Sequence, residues 1–396
     1  PLLFGGTTVI APPNIHKDLH QLVTLIQTQK IRNLRFVPSL LDMLAAILEF
    51  HGCTSIKRIF SGGEVLQLKT LQSVLKALPQ IELYNDYGPT EATVRATSYR
   101  CMLPENNPRI PIGQPIANKN IYILDEEMKV VPNGSQGELY IGGAGIARGY
   151  LNLPEFTQAR FIIDPFLSCE VRKGFTNARL YKTGDLARVL PDGNIDFLGR
   201  LDEQVKIRGN RIELGEIESC LRKHPSIKQA IVHTFAQDQQ QILVAYVIKN
   251  SDIDTNKLYP ELQAFLKQEL PEYMLPLAYI PLESFPLLAN GKVDKQSLPK
   301  PQREDLVSTS LELPQTPTEE MLSKIWKDLL KLETIGRRDN FFEIGAHSLL
   351  VVQLIIQLKK KGTIINPGDV FEFTTLYELG LHIDSLAIRD KANEAA

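Results

Sequence analysis

Three side chains in this sequence have the type and setting of groups that do chemistry. Ser348 opens an apolar stretch in Asp339-Asn-Phe-Phe-Glu-Ile-Gly-Ala-His347-Ser348-Leu-Leu350. A serine at a helix start is ordinarily an N-cap. Here the paired Phe341-Phe342 anchor and the Gly-Ala-His turn would hold its hydroxyl out, as a point of covalent attachment needs. Lys292 sits on the turn Asn290-Gly-Lys-Val-Asp294. Such surface lysines are commonly inert, but a loop with one cation can deliver charge to phosphoryl chemistry when it is needed. Asp185, in YKTGDL (181–186), lies on a tight turn. It is a turn cap by default, or else a fixed carboxylate able to grip the two hydroxyls of a ribose.

Further strings add to this set. NDYGPTE (85–91) follows a predicted strand, where α/β folds place ligand loops. It is simple punctuation, or it offers an aromatic face for a base, a hydroxyl for phosphate and a carboxylate suited to Mg2+. The glycines of GELYIGGAGIARGYL (137–151) fail the dinucleotide spacing, with one residue too many before Gly149. A Walker loop is absent too, since Gly291-Lys292 runs into Val293 and Pro286 stands where the first glycine should be. Ser348 is no hydrolase elbow, because Ala346 and Leu350 occupy the glycine positions. GRLDEQVKIRGNRIELGEIE (199–218) is dense in charge; its separate Lys and Arg residues read as a solvated hairpin, the whole string as something more specific.

Elements must position these groups. From the start to about Gly199, short β-branched runs alternate with amphipathic stretches: Asn33–Val37 as strand, Ser39–Phe50 as helix, Ser55–Phe60 as strand, Leu66–Leu78 as helix. That alternation implies an α/β layered domain. A smaller α+β unit follows, with helices over Glu213–Lys223 and Lys257–Leu270 and strands over Ile227–Thr234 and Gln241–Lys249. The polar, proline-punctuated Pro299–Pro317 reads as a linker. Beyond it, Ser348 to Lys361 has helical apolar spacing and a basic last turn, stopped by Gly362. The expected boundaries are a core over 1–201, a small subdomain over 202–298, a linker over 299–317, a helical domain over 318–385 and a polar tail over 386–396.

Composition narrows the class. With 396 residues the chain can build two or three cores. A net charge of −2 and no basic–aromatic stripe argue against nucleic acid, and the apolar runs stop short of a membrane span. The four cysteines are far apart, so neither disulfides nor zinc are expected and a reducing cytoplasm is the default. The opening Pro1-Leu-Leu-Phe-Gly-Gly, without Met or a signal peptide, reads as the interior of a longer polypeptide.

In this order NDYGPTE, GELYIGGAGIARGYL, YKTGDL, GRLDEQVKIRGNRIELGEIE and NGKVDK (290–295), with LPEYMLP (270–276), resemble the adenylation domain of nonribosomal peptide synthetases, within the adenylate-forming enzymes. LPKP (298–301) resembles the linker motif before a carrier domain, and the Ser348 string resembles the 4′-phosphopantetheine attachment site. The resemblance implies part of an α/β layered adenylate-forming core, a small α+β C-terminal subdomain and an all-α four-helix peptidyl carrier domain. It implies an amino-acid adenylating ligase that uses ATP and Mg2+ to form an aminoacyl-AMP, which the carrier's pantetheine thiol then attacks.

By motif, the resemblance implies that Tyr87 stacks on adenine, with Asn85, Gly62 and Gly63 near the base. Thr90 would meet phosphate, Glu91 the Mg2+, and Asp185 with Arg200 the ribose. Asp202 would be a hinge; Lys292 would serve adenylation, and the loop with Lys206 and Gly209 would face the site for thiol attack. Ser348 would bear the arm. The implied substrate pocket holds Arg35, Ile59, Ser61, Asp86, Val94 and Arg95. Two guanidiniums and one carboxylate suit a polar or acidic amino acid over a large apolar one, unless Asp86 neutralises one of them.

Implied partners are a phosphopantetheinyl transferase, neighbouring condensation or thioesterase domains and an MbtH-type accessory protein, with no nucleic acid and no membrane. Ala346 replaces the usual glycine of the carrier motif. The family's phosphate loop and amino-group aspartate fall upstream of Pro1, so the chain as given is expected to adenylate poorly. Two alternatives stay open: an acyl- or aryl-CoA ligase, and a carrier scaffold loaded in trans.

Overall fold

The computed structural model describes residues 5–394 apart from 14, 16–17, 104–108, 168–177, 208, 238–239, 251–254, 289–291, 302–311, 343 and 347. They fall into two compact units, Pro1–Ala11 with His20–Arg211, and Pro12–Leu19 with Ile212–Ala396.

The first unit opens with α1 (Leu19–Thr28), whose Leu22, Val23 and Ile26 are buried at helical spacing. A five-stranded sheet follows in the order β1 (Asn33–Phe36), β2 (Arg58–Gly62), β3 (Glu82–Tyr87), β4 (Thr97–Arg100) and β5 (Gln114–Pro115). The first three are parallel, and β4 and β5 add antiparallel edges. The crossover helices are α2 (Pro38–Ala45) and α3 (Leu68–Ala77). Pro38 fits the first turn of α2, where its missing N–H is no loss. Glu64 caps that helix from outside, accepting from the Ser39 N–H at 3.0 Å and its hydroxyl at 3.1 Å.

A second sheet is antiparallel and runs β10–β9–β7–β6, with β8 also on β9. Its strands are β6 (Lys119–Leu124), β7 (Gln136–Gly143), β8 (Phe161–Ile163), β9 (Arg179–Val189) and β10 (Ile195–Arg200); α4 (Pro154–Arg160) leads into β8. Register shifts interrupt β7–β9 between Glu138 and Tyr140 and β9–β10 between Phe197 and Gly199. Such bulges re-aim side chains, and these flank Asp185. The hairpin β11 (Val205–Ile207) and β12 (Asn210–Ile212) follows.

In the second unit, α5 (Leu214–Leu221) buries Leu214, Ile217, Cys220 and Leu221 on one stripe. The sheet pairs β13 (Ile227–Gln237) antiparallel with β14 (Gln240–Lys249), and β14 parallel with β15 (Ala278–Pro281) across α6 (Thr255–Glu269). A helical region then holds α7 (Pro317–Leu330), α8 (Ser348–Lys360), α9 (Pro367–Glu372) and α10 (Leu376–Glu394). Its core gathers Trp326, Phe341, Val351, Leu354, Val370 and Leu379, with Trp326 and Phe341 in ring contact at 4.4 Å. Residues 386–394, read from sequence as polar tail, are the last turns of α10. Compact unit two starts at Ile212 and not at 202, because residues 202–211 pack with the first unit. Ten residues of the linker expectation, 302–311, lie outside the described residues.

Candidate active site

Asp185 lies buried on β9, just past Gly184. Gly184 takes a φ of +74°, and a Cβ there would come within 2.8 Å of Asp202, so the turn requires glycine. Thr183 fixes the strand by donating to the Leu139 carbonyl at 2.6 Å and accepting the Asp185 N–H at 2.9 Å. One carboxylate oxygen of Asp185 accepts the Tyr87 hydroxyl, and the other pairs with Arg200. Arg200 continues to Asp202 through Nε at 2.6 Å and Nη2 at 2.7 Å, and Arg160 reaches Asp202 at 3.3 Å. Burial and the neighbouring Asp185 charge push the Tyr87 phenol far up, so it stays a donor. Burial disfavours the Asp202 carboxylate, but the hydrogen bond and charge of Arg200, the Gln204 N–H and Arg160 together hold Asp202 below the usual carboxylate range. The expected ribose acid, its arginine, the aromatic and the hinge acid thus form one chain.

Glu91 is the second centre. It lies in the turn Thr90–Ala92, where Thr93 and Val94 have φ values of 61° and 67°. Gly88 admits the return of the chain, since a Cβ there would stand 2.7 Å from the Ala96 nitrogen. The loop after β7 buttresses the turn: Ala147 donates its N–H to the Glu91 carbonyl at 2.8 Å, and Thr93 donates to the Gly145 carbonyl at 2.5 Å. Lys119 donates to the Ala92 carbonyl at 2.8 Å. The glycine-rich string is therefore support for Glu91. Its carboxylate accepts Tyr150 at 2.7 Å and Tyr181 at 2.9 Å, and pairs with Arg211 at 2.8 Å. Burial works against the charge, but the Tyr150 hydrogen bond and the Arg211 charge leave Glu91 below its ordinary range. Thr90 is exposed at the head of the turn.

Around the expected substrate pocket, alternation along β2 buries Ile59 and Ser61 on one face. Asp86, buried at the end of β3, pairs with Arg95 at 3.1 Å and accepts the Ser98 hydroxyl at 2.7 Å. Arg95 donates to Ser98 at 2.9 Å and lies 5.3 Å from the Phe60 ring centroid. One guanidinium is thus matched by the carboxylate. Burial raises the Asp86 pKa, and Ser98, Arg95 and Arg35 only partly offset this. Arg35 is exposed on β1, and Val94 is 52% exposed. Two buried acceptors, Ser61 Oγ and Asp86 Oδ2, have no hydrogen-bond partner among the described residues. Asn85 donates to the Pro111 carbonyl at 2.8 Å. Gly62 permits close packing of β2 on β3, since a Cβ there would lie 2.4 Å from the Asp86 carbonyl oxygen; Gly63 has a φ of +93°.

Lys206 lies 5.9 Å from the Tyr87 ring centroid. Gly209, at φ +76°, passes so near Val37 that a Cβ would stand 2.9 Å from its Cγ1. Lys292 belongs to the second unit and is exposed, its carbonyl accepting the Leu288 N–H at 2.8 Å; its neighbours Asn290 and Gly291 lie outside the described residues. Ser348 is the first residue of α8. The turn before it is held by the Ala346 N–H on the Phe341 carbonyl at 2.9 Å and by Gly345 at φ +111°. His347 lies outside the described residues.

Sequence reasoning passed over Arg211, Tyr150, Tyr181 and Arg160. The spacing reads Arg211 as one of the solvated charges of its string, although its carboxylate partner sits in another motif. No local spacing announces such a pairing.

The sequence of residues 1–151 matches the model of the AMP-binding enzyme family, residues 216–292 that of the AMP-binding enzyme C-terminal domain, and residues 320–383 that of the phosphopantetheine attachment site. The chain is 42% identical over 378 residues to tyrocidine synthase 3 of Brevibacillus parabrevis, covering 95% of this chain and 6% of that protein. It is 40% identical over 395 residues to malpinin synthetase of Mortierella alpina, covering 96% of this chain and 5% of that protein. It therefore spans a small fraction of these relatives' length. Among solved structures it resembles a holo nonribosomal peptide synthetase protein containing adenylation and carrier domains, bound to a vinylsulfonamide inhibitor. The TM-score is 0.74 at 28% identity, over 93% of this chain and 60% of that one.

Proposed function

The chain belongs to the nonribosomal peptide synthetases, as adenylation regions followed by a carrier domain, and from that premise we propose that it activates an amino acid with ATP and loads it onto its own carrier. The observation that carries this reading is the buried Asp185 carboxylate, fixed between Tyr87, at the end of β3 in the other sheet, and Arg200 on the neighbouring strand β10. Each of its oxygens keeps a lone pair for a sugar hydroxyl, and the residues that hold it are already in place, as preorganised binding requires. Tyr87 would present its ring to the base, beside Asn85, Gly62 and Gly63, and Thr90 would donate to phosphate.

Glu91 fits Mg2+: it is an anionic carboxylate beside phenol oxygens, all hard donors. No group of three or more His, Cys, Asp or Glu able to hold a metal occurs among the described residues. A single carboxylate with substrate phosphates is how Mg2+ is commonly held. Bound Mg2+ would supply neutralisation of phosphate charge. Lys292 would add a cation between substrate carboxylate and α-phosphate during adenylation. Lys206 and Gly209 would border the site in the transfer step, where glycine leaves room for a thiol. Ser348 would carry 4′-phosphopantetheine, which supplies that thiol; the Phe341-anchored turn before α8 fits an exposed attachment point. Asp202 would serve as the hinge.

The substrate is best read as a polar amino acid, since Asp86 and Arg95 match one another and Arg35 remains to meet an acidic group. A phosphopantetheinyl transferase would install the arm, neighbouring condensation or thioesterase domains would use the product, and an MbtH-type protein is a further partner. Cytoplasmic placement follows from this chemistry's need for ATP and CoA; no helix among the described residues is long and apolar enough to cross a membrane. We divide the chain functionally into core, small subdomain, linker and carrier as the sequence suggests.

ATP–pyrophosphate exchange over an amino-acid panel tests the substrate class, and strongest activity with Leu or Phe would overturn it. In the full-length protein, Lys292→Ala should collapse self-loading, read by intact-protein mass spectrometry after conversion with CoA and a phosphopantetheinyl transferase. Unchanged loading would point to a carrier charged in trans. Absence of the pantetheine adduct in the unmodified sequence, or its persistence in Ser348→Ala, would refute the arm.

A further inference from the structure

Glu91 and Arg95 are close in the chain but serve opposite ends of the proposed substrate. Glu91 belongs to the phosphate end, Val94 and Arg95 to the side-chain end. Thr93 and Val94, which join the two ends, take φ values of 61° and 67°. Both are β-branched, and branched side chains are crowded in the left-handed region. Two such residues in succession persist only where their surroundings over-determine them.

Lys119 on β6 donates from Nζ to the Ala92 carbonyl at 2.8 Å, and Thr93 donates from Oγ1 to the Gly145 carbonyl at 2.5 Å. These two clamps meet beside Gly145, where a Cβ would stand 2.8 Å from Lys119 Nζ and 3.0 Å from Thr93 Oγ1. Within the turn, the Val94 N–H donates to the Pro89 carbonyl at 3.1 Å and the Ala96 N–H to the Tyr87 carbonyl at 2.7 Å. Lys119 is half-buried, and desolvation pulls its pKa down with no carboxylate among the described residues to oppose the shift. Its charge is directed at a carbonyl dipole, and a charged donor holds more strongly than a neutral one. Glu91 has anchors of its own in Tyr150 and Tyr181, and Ala147 holds its carbonyl. With the clamps released, the strain would therefore relax on the other side, into Val94 and Arg95.

We propose that Lys119 and Thr93 are positioning residues for amino-acid selection, which lock the turn in its strained form and so fix Val94 and Arg95 against the substrate side chain. The inference rests on the adenylation reading and on the pocket given to Val94 and Arg95 above. Losing a clamp blurs recognition of the amino acid while ATP is held much as before.

Loading of the Ser348 arm in the full-length protein, converted with CoA and a phosphopantetheinyl transferase, tests this. Mass spectrometry of the Ser348 peptide scores this carrier alone. In Lys119→Met and the near-isosteric Thr93→Val, KM for the amino acid loaded best should rise about five- to tenfold, the scale of one lost hydrogen bond. The lead of that amino acid over its competitors in an equimolar mixture should shrink by a similar factor, and KM for ATP should stay near its original value. Thr93→Ser, which keeps the hydroxyl, should restore the amino-acid KM and the lead. Hydrogen exchange of the Val94 and Ala96 amides should rise in Lys119→Met and Thr93→Val, a readout that holds even for a variant that loads poorly. Unchanged exchange, an unchanged amino-acid KM and lead, or a loss that falls equally on ATP would overturn the positioning role and leave adenylation standing. Failure of the unmodified protein to load Ser348 with any amino acid would overturn the adenylation reading, and this inference with it.

Discussion

The Asp185–Glu91 region and the helical region around Ser348 solve different problems with different materials. In the first, Tyr87, Asp185, Arg200 and Asp202 form a polar chain, and Glu91 is met by Tyr150, Tyr181 and Arg211. Partners are as far apart in sequence as 120 residues. In the second, the turn before Ser348 hangs on Phe341, which packs on Trp326 in an apolar core. A site that handles phosphate charge needs fixed charges of its own, and buried charges survive only when paired. An attachment point for a long arm needs only a rigid, local presentation.

That contrast can be broken from either side. Phe341→Ala should have the largest effect, roughly 3–5 kcal/mol off the stability of the helical region. Trp326 is the sole tryptophan and lies against the lost ring, so urea melts followed by its fluorescence report this region alone. Pyrophosphate exchange should survive that change if the two regions are energetically separate. In the full-length protein, Asp185→Ala should cut exchange by about 10²-fold, the scale of losing one preorganised electrostatic contact, while leaving the Trp326 melt in place. Thr316→Ala removes the α7 N-cap, whose hydroxyl accepts the Glu319 N–H at 3.1 Å, and should cost about 1 kcal/mol in the same fluorescence melt. The smallest signal is chemical. Burial pushes the Cys101 thiol up to about 12, so at pH 8 it should resist iodoacetamide in the native state. Labelling of Cys101 that rises in Asp185→Ala but not in Phe341→Ala would sharpen the division; the reverse would dissolve it.

Elements with clean periodicity were legible in the sequence. β1, β13, β14 and the helices α3, α5 and α6 lie within a few residues of their expected places, whereas the helix expected over Ser39–Phe50 ends at Ala45 and gives way to a 3-10 turn over Leu48–Gly52. β15 was missed because its residues, Ala278–Pro281, are bracketed by prolines that read as loop. The end of α10 was missed because residues 386–394 are polar and carry no apolar periodicity. Individual members of the site could be read from motif because their chemistry is carried by residue type. Their pairings could not: Arg211 meets Glu91 only through the fold, and the charge match between Asp86 and Arg95 depends on β4 bringing Ser98 alongside.

In the substrate pocket proposed above, the Asp86–Ser98–Arg95 bridge bears on how specificity drifts over evolutionary time. Losing Arg95 alone would strand a carboxylate whose Oδ2 already has no partner among the described residues, and losing Asp86 alone would leave Arg95 without its counter-charge. Either single step passes through a less stable protein. New specificities should therefore arise by paired exchange at these two positions, while Val94, more than half exposed, varies one residue at a time.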